Sequence, residues 1–174
     1  HVAAASLNPA PVQIVENTSA TSFAVMDEDG AAVACALSMN SLFGNGLVAK
    51  NTGILMASKP GGGRGSISLG PMLAVDHSTN NFFFAGAASG GVTAPTALMS
   101  VALSNAINVE GLEYAMLAKR LHHSGNPNIV YFEKGYDEAA IQTLIKKGHQ
   151  VVETLSLGLV NAVGCTQGLT NDSN

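Results

Sequence analysis

Residues Thr21–Asn40 read TSFAVMDEDGAAVACALSMN. Two apolar-rich runs, Thr21–Met26 and Ala31–Met39, flank Asp27-Glu28-Asp29-Gly30. The first run is short and β-prone, and Asp29-Gly30 supplies the left-handed position that a tight hairpin needs. In the second run valine and cysteine alternate with alanine. That pattern predicts a hairpin with two buried faces, at the centre of a layered protein rather than at its edge.

Outward from the hairpin, the same kinds of signal repeat. Met72–Val75 and Phe82–Ala85 surround the polar stretch Asp76–Asn81 and predict a second hairpin whose Phe82-Phe83-Phe84 touches packed layers on both faces. Thr93 followed by Pro95 reads as a helix start, with Leu98, Val101, Ala102 and Leu103 inward and an end near Ala106. Asn108 is a candidate cap for a second helix that buries Leu112, Ala115 and Met116. Asp137 is a candidate start for a third, with Ile141, Leu144 and Ile145 inward and Gly148 as its stop. Both helices that begin near Pro95 and Asp137 are expected to cover the central sheets, and Val151–Thr154 and Asn161–Cys165 to return into them. Residues 3–20, with Pro9 and Pro11, read as an extended connector with a short strand at Val12–Val15.

Composition bounds the function classes. The chain has 174 residues, enough for one domain with a continuous core. Only 11% are charged, against a usual share of about 25%. Two explanations stand: an interior rich in alanine and glycine, or an exterior partly covered by another chain or by the missing half of a larger precursor. The formal charge of −4 and scattered lysines exclude a nucleic-acid surface, which needs clustered cations. Lys119-Arg120 and Lys146-Lys147 read as solvated or helix-terminal charge. Cys35 and Cys165 lack zinc-site spacing and read as buried free thiols rather than a disulfide. No run reaches the roughly 18 apolar residues of a membrane span. His1-Val2-Ala3-Ala4-Ala5 has neither an initiator methionine nor a cationic signal start, so the sequence reads as a fragment, a processed chain or an expression product, and no compartment follows from it.

The segment TSFAVMDEDGAAVACALSMNSLFGNG resembles the start of the small subunit of γ-glutamyltranspeptidases, in the N-terminal-nucleophile hydrolase superfamily. That subunit opens with Thr-Thr-His and an aromatic residue, then a strand, Asp-x-x-Gly, a second strand and a Phe-Gly-x-Gly turn. The likeness continues through Gly53-Ile54-Leu55, Gly90-Gly91 and Ala118-Lys119-Arg120-Leu121-His122-His123, over about residues 20–165. It implies an α+β fold, the small-subunit half of a four-layer αββα sandwich, with residues 1–19 as a pre-nucleophile linker and 20–174 as the domain. The retained linker implies that the family's self-cleavage did not occur here.

The same resemblance assigns roles and exposes departures. Aligned on Phe23 and Asp27–Gly30, the nucleophilic threonine falls on Ala20, the second threonine on Thr21 and the histidine on Ser22. A terminal threonine works because its own α-amine, which ordinarily titrates at about pH 7.7, can take the hydroxyl proton. Alanine has no oxygen with which to attack a carbonyl. Thr21 could substitute only by becoming the terminus, and one step along a strand reverses the side-chain face. Ser38 matches the hydroxyl residue that supports the nucleophile, and Asn40 the asparagine that binds the substrate's α-amino end. Ser68 matches one of a serine pair that contacts the γ-glutamyl carboxylate, and Gly90-Gly91 the backbone donors of an oxyanion hole.

The family's acidic pair beyond Gly-Ile-Leu has no counterpart, because no Asp or Glu lies between Gly53 and Asp76. Lys59, Arg64 and the Gly61–Gly65 run stand there instead, and without a following Lys-Ser/Thr they do not form a phosphate loop. His122-His123 have no third ligand motif nearby and read as structural hydrogen-bonding groups. The resemblance therefore implies a catalytically degenerate domain kept for assembly or ligand binding, with no metal and no cofactor. A large-subunit-like chain, self-association and a γ-glutamyl or related small molecule are its candidate partners. The alternative is an active γ-glutamyl hydrolase/transferase that needs a missing large-subunit half or atypical processing.

Overall fold

In the computed structural model the described residues are 19–59 and 70–165, except 79, 124, 126 and 127. In chain order the elements are β1 (Ala20–Met26), β2 (Ala32–Ser38), β3 (Met72–Val75), β4 (Phe82–Ser89), α1 (Ala94–Ile107), α2 (Gly111–Leu117), β5 (Leu121–His123), β6 (Ile129–Glu133), α3 (Glu138–Lys146), β7 (Gln150–Thr154) and β8 (Leu159–Gly164). The expected linker strand at Val12–Val15, the Gly61–Gly65 run, Ser68 and the polar C-terminal stretch lie outside the described residues.

The β1–β2 hairpin forms as the sequence predicts, antiparallel from Ala20 opposite Ser38 to Met26 opposite Ala32. Its loop is closed by Asp27, whose Oδ1 accepts from the backbone N–H of Asp29 at 3.1 Å and Ala31 at 2.8 Å. Gly30 sits at φ 83°, a conformation that costs glycine little. Strand alternation puts Ala20, Ser22, Ala24 and Met26 on one face, opposite Ser38, Ala36, Ala34 and Ala32. These small side chains let the hairpin lie closely on β4 and β8.

The other face corrects the expectation of two buried faces. Phe23, Val25, Val33 and Leu37 are 44%, 53%, 54% and 48% exposed. Alternating apolar residues show that a strand can be buried on both sides but not that both covering layers belong to the same chain.

Beneath the hairpin, β3, β4 and β8 form an antiparallel sheet in the order β3-β4-β8. Strand β4 is its middle and the molecule's core: Phe84, Ala85, Ala87 and Ala88 are buried. Phe84 and Ala88 pack with Ala94, Ala97, Leu98 and Val101 of α1, with Ala115 of α2 and with Val160 of β8. Gly86 lets α1 approach, since a Cβ there would lie 2.9 Å from the Leu98 side chain and 2.6 Å from the Phe84 ring. The described layers are thus hairpin, sheet and helices, three of the four layers of an αββα sandwich.

Two further expectations change. Val151–Thr154 does not rejoin the central sheets. It belongs to β7, which runs parallel to β6 in a separate sheet of order β5-β6-β7, and α3 packs on β7 rather than on the central layers. Strand β6, α3 and β7 are consecutive, and a helical crossover delivers a parallel neighbour. Residues 161–164 do return, in β8 against β4.

The helix ends follow local chemistry. Asp137 caps α3 by accepting from Ala139 N–H at 3.0 Å. Asn108 closes α1 instead of starting α2, whose N-cap is Glu110. Leu103 and Ile145, expected inward, are exposed. Cys35 and Cys165 are free thiols, half-buried rather than buried. Among the described residues no helix is long and apolar enough to cross a membrane.

Candidate functional site

Ala20 opens β1 on the inward face, directly across the ladder from Ser38. Ser38 Oγ accepts from the backbone N–H of Asn40 at 3.0 Å. Asn40 adopts φ 58°, a left-handed conformation that asparagine tolerates, and its amide donates to the carbonyl of Ser58 at 2.9 Å. Ser58 also donates through Oγ to Met39 O at 3.1 Å and lies 2.9 Å from Ser41 Oγ. Ser38 and Asn40 thereby join one network that ties the end of β2 to the segment just before Lys59.

Thr21 lies on the exposed outward face, paired with Leu37. Ser22 is buried, and its hydroxyl donates to Ala87 O at 3.1 Å. It also accepts from Asn161 Nδ2 at 3.0 Å, while the same nitrogen reaches Ser22 O at 2.9 Å. Ala87 and Asn161 are cross-strand partners in β4 and β8. The three residues pin the hairpin to the sheet below. Sequence reading missed Asn161, although a polar residue at an inward strand position is the signal that could have found it.

Gly90 and Gly91 follow β4 and lead through a 3-10 turn into α1. Their φ angles are 122° and 65°. A Cβ on Gly90 would stand 2.7 Å from Gly158 Cα, so the turn is packed backbone against backbone. Gly90→Ala therefore adds strain on the order of 1–3 kcal/mol before any clash is relieved. The expected outcome is a lower urea midpoint with an unchanged m-value; an unchanged midpoint would show that the turn tolerates a side chain.

Two supports converge on this turn. On one side Thr93 Oγ1 donates to Gly90 O at 3.0 Å, and Thr96 Oγ1 donates to Thr93 O at 2.9 Å. Thr96 Oγ1 also lies 2.8 Å from His122 Nδ1, which joins the imidazole to the same chain of hydrogen bonds. His122 Nε2 is buried without a partner, and burial, helped by the neighbouring His123, lowers the imidazole's pKa. On the other side Glu133 accepts from Arg120 N–H at 3.0 Å and from Leu157 N–H at 2.8 Å. The Arg120 guanidinium lies 3.6 Å from Glu133, donates to Met116 O at 3.0 Å and reaches Gly158 O at 3.4 Å.

Of the two readings of Arg120, solvated or helix-terminal charge, this geometry removes the first and bears out the second, since the guanidinium donates to Met116 O in the last turn of α2. The Arg120 side chain is 12% exposed, and Glu133, which follows no recognised motif, is its partner. His122 and His123 both hydrogen-bond, His123 Nε2 to Asn128 Oδ1 at 2.9 Å. Among the described residues no three His, Cys, Asp or Glu side chains gather into a metal-sized cluster. Ser68 lies outside the described residues.

The candidate residues are thus a methyl group and a half-buried serine paired across the β1–β2 ladder, and a glycine turn that follows β4. A family model, gamma-glutamyltranspeptidase, matches residues 3–171. The chain belongs to the gamma-glutamyltranspeptidase family. It is 28% identical to the glutathione hydrolase proenzyme of Escherichia coli K12, over 94% of this chain and 31% of that protein. It is 25% identical to a glutathione hydrolase of Aspergillus flavus, over 83% of this chain and 28% of that one. It spans about a third of the length of these curated relatives.

Among solved structures, a mutant of the Helicobacter pylori gamma-glutamyltranspeptidase aligns over 85% of this chain and 94% of that one, with TM-score 0.68 and 25% identity. The transpeptidase CapD of Bacillus anthracis aligns over 82% and 84%, with TM-score 0.63 and 20% identity, which shows shared fold. The fold of this gamma-glutamyltranspeptidase family member is accordingly the α+β N-terminal-nucleophile hydrolase fold.

Proposed function

We propose that this chain is a catalytically degenerate gamma-glutamyltranspeptidase-like domain, retained for assembly or for binding a γ-glutamyl or related small molecule. The observation that carries the reading is Ala20. It occupies the start of β1 on the inward face, across from Ser38, where the family resemblance puts the nucleophilic threonine. A methyl group can neither attack a carbonyl nor hold an acyl group. The absence of any acidic residue between Gly53 and Asp76 supports the reading from the substrate side, because a γ-glutamyl ammonium group would lack its anionic partner. Leaving one such desolvated charge unpaired costs on the order of 2–5 kcal/mol.

Assembly is supported by the hairpin's outer face. Phe23, Val25, Val33 and Leu37 form an exposed apolar surface on the side where a four-layer sandwich has its other helical layer. A large-subunit-like chain is the partner this reading favours. The same surface favours the second reading, in which such a partner completes an active hydrolase or transferase.

Intact mass spectrometry separates the two at the residue level. After incubation with a γ-glutamyl donor the chain should keep its mass, with no cleavage before Thr21. A chain beginning at Thr21 that carries an acyl adduct on that residue would overturn the degenerate reading. The exposed, outward placement of Thr21 supports the expected outcome.

A further inference from the structure

At one end of the β5-β6-β7 sheet, far in sequence from the hairpin, three side chains converge on a single point. His123 ends β5, Asn128 precedes β6 and His149 precedes β7. His123 Nε2 lies 2.9 Å from Asn128 Oδ1, and His149 Nδ1 lies 2.7 Å from the same oxygen. Two ring nitrogens, one from the end of β5 and one from the residue before β7, are therefore aimed at one atom. The rings meet at 84° with their centres 5.2 Å apart.

That separation has a second meaning. Imidazoles bound at about 2.0–2.1 Å to one tetrahedral ion hold their ring centres roughly 5 Å apart. The ring centres lie at about that distance, a spacing that their shared hydrogen bond to Asn128 Oδ1 also sets.

The backbone fixes all three groups. His149 follows Gly148, which closes α3 at φ 88°; Gly148 N–H donates to Ile145 O at 2.9 Å and His149 N–H to Leu144 O at 3.1 Å. This pair of bonds is a Schellman closure, so the direction of the His149 backbone is set by the helix end. His123 is held in register opposite Val130. Asn128 accepts through its backbone carbonyl from Gln150 N–H at 3.4 Å, and its Nδ2 donates to Gly148 O at 3.3 Å. The last bond decides which way the amide faces: its nitrogen is turned to Gly148 and its oxygen to the two imidazoles.

We infer that His123, His149 and Asn128 form a surface site for a divalent first-row transition metal that ties the three strands together at this end of the sheet. Imidazole nitrogen suits zinc, copper and nickel, whereas magnesium and calcium require oxygen ligands. Two neutral imidazoles and one amide oxygen supply three positions, and water supplies the rest. In the metal-free state each ring donates a proton to Asn128 Oδ1. On binding, the proton of His123 moves to Nδ1 and that of His149 to Nε2, exchanged through solvent, so both rings stay neutral. The ion takes the freed lone pairs, and the amide oxygen turns from hydrogen-bond acceptor to ligand.

This site shares no residue with Ala20, Ser38 or the glycine turn, and it does not depend on the reading of that site. It also departs from the expectation of no metal, which weighed the adjacent pair His122-His123. The structure instead joins His123 to a histidine 26 positions later in the chain.

Calorimetric titration of the 174-residue chain with zinc sulfate tests the inference, on a background carrying His1→Ala and His77→Ala, which leaves buried His122 as the one histidine outside the site. The expected result is saturable binding of one zinc per chain, with no heat from magnesium chloride. His123→Ala and His149→Ala should each weaken binding by at least about tenfold, and Asn128→Asp should tighten it, since a carboxylate is the stronger ligand. A second measurement needs no variant at these positions: zinc should shift the imidazole resonances of His123 and His149 and leave His77 of the unsubstituted chain in place. No saturable zinc binding, binding that is unchanged in both histidine variants, looser binding in Asn128→Asp, or shifts at other histidines alone would each overturn it.

Discussion

Replacing Glu133 by glutamine is expected to lower the free energy of unfolding by about 3–5 kcal/mol, a large share of a single domain's stability. Glu133 is buried, and its two oxygens hold three things: the backbone N–H of Arg120, the backbone N–H of Leu157 and the Arg120 guanidinium. Glutamine retains one carbonyl oxygen and presents an amide where the second oxygen had been. One backbone donor is then left facing another donor. The guanidinium, whose Nε already lacks a partner, remains in the interior without its counter-charge. An unpaired buried charge is the expensive outcome, more so than loss of the pair as a whole.

The double replacement Arg120→Met with Glu133→Gln should accordingly cost less than Glu133→Gln alone, because it removes the stranded charge and keeps one acceptor oxygen for the backbone donors. Urea denaturation of the three chains reads the difference. A loss below about 1 kcal/mol for Glu133→Gln would show that water reaches the pair and that it is a surface contact.

The consequence reaches the candidate site. Leu157 and Gly158 are held by Glu133 and Arg120, and Gly158 is the backbone against which Gly90 packs. Gly90 is in turn bound by Thr93, which connects through Thr96 to His122. The glycine turn is thus braced from β5 by His122 and from the approach to β8 by Gly158. Its stiffness comes from residues remote in sequence.

Those remote partners mark the boundary of what could be read in advance. The Asp27–Gly30 turn, the β3–β4 hairpin, the Pro95 helix and the Asp137 cap are local events. Their signals, a glycine at positive φ or an aspartate before a helix, lie within a few residues of the structure they produce. The separate β5-β6-β7 sheet was not legible, because the apolar run Val151–Val152 fits a strand but does not name its neighbour. Glu133 and Asn161 were equally hidden. Each is one polar residue in or beside an apolar strand, and only tertiary contact shows that Glu133 serves Arg120 and Leu157 while Asn161 serves Ser22.

The exposed outer face of β1–β2 departs from its sequence pattern for a related reason. Phe23, Val25, Val33 and Leu37 are patterned for burial, but the described residues supply no layer over them. The reading of Ala20 as the nucleophile's position rests on family resemblance alone. Nothing in the physics of an alanine at a strand start points to a reacting group.

The second large effect is on rate. Removing the nucleophile of a hydrolase can lower turnover by about a million-fold, since the remaining groups cannot complete the reaction separately. The chain should therefore show γ-glutamyl transfer and hydrolysis lower than a working relative by a factor on the order of 10⁴–10⁶. Ser38 and the Gly90-Gly91 turn do not compensate. A hydroxyl that would support a nucleophile and donors that would hold an oxyanion act only after attack has begun.

Returning an oxygen to position 20 tests this account most directly. Ala20→Thr, introduced into the longest natural reading frame that contains this chain, should be assayed for cleavage before residue 20 and for turnover of a γ-glutamyl donor. Efficient turnover is expected to remain absent, because the segment from Gly53 to Asp76 still carries no carboxylate to receive the substrate ammonium group. Recovery of both self-cleavage and efficient γ-glutamyl turnover by that single substitution would contradict it.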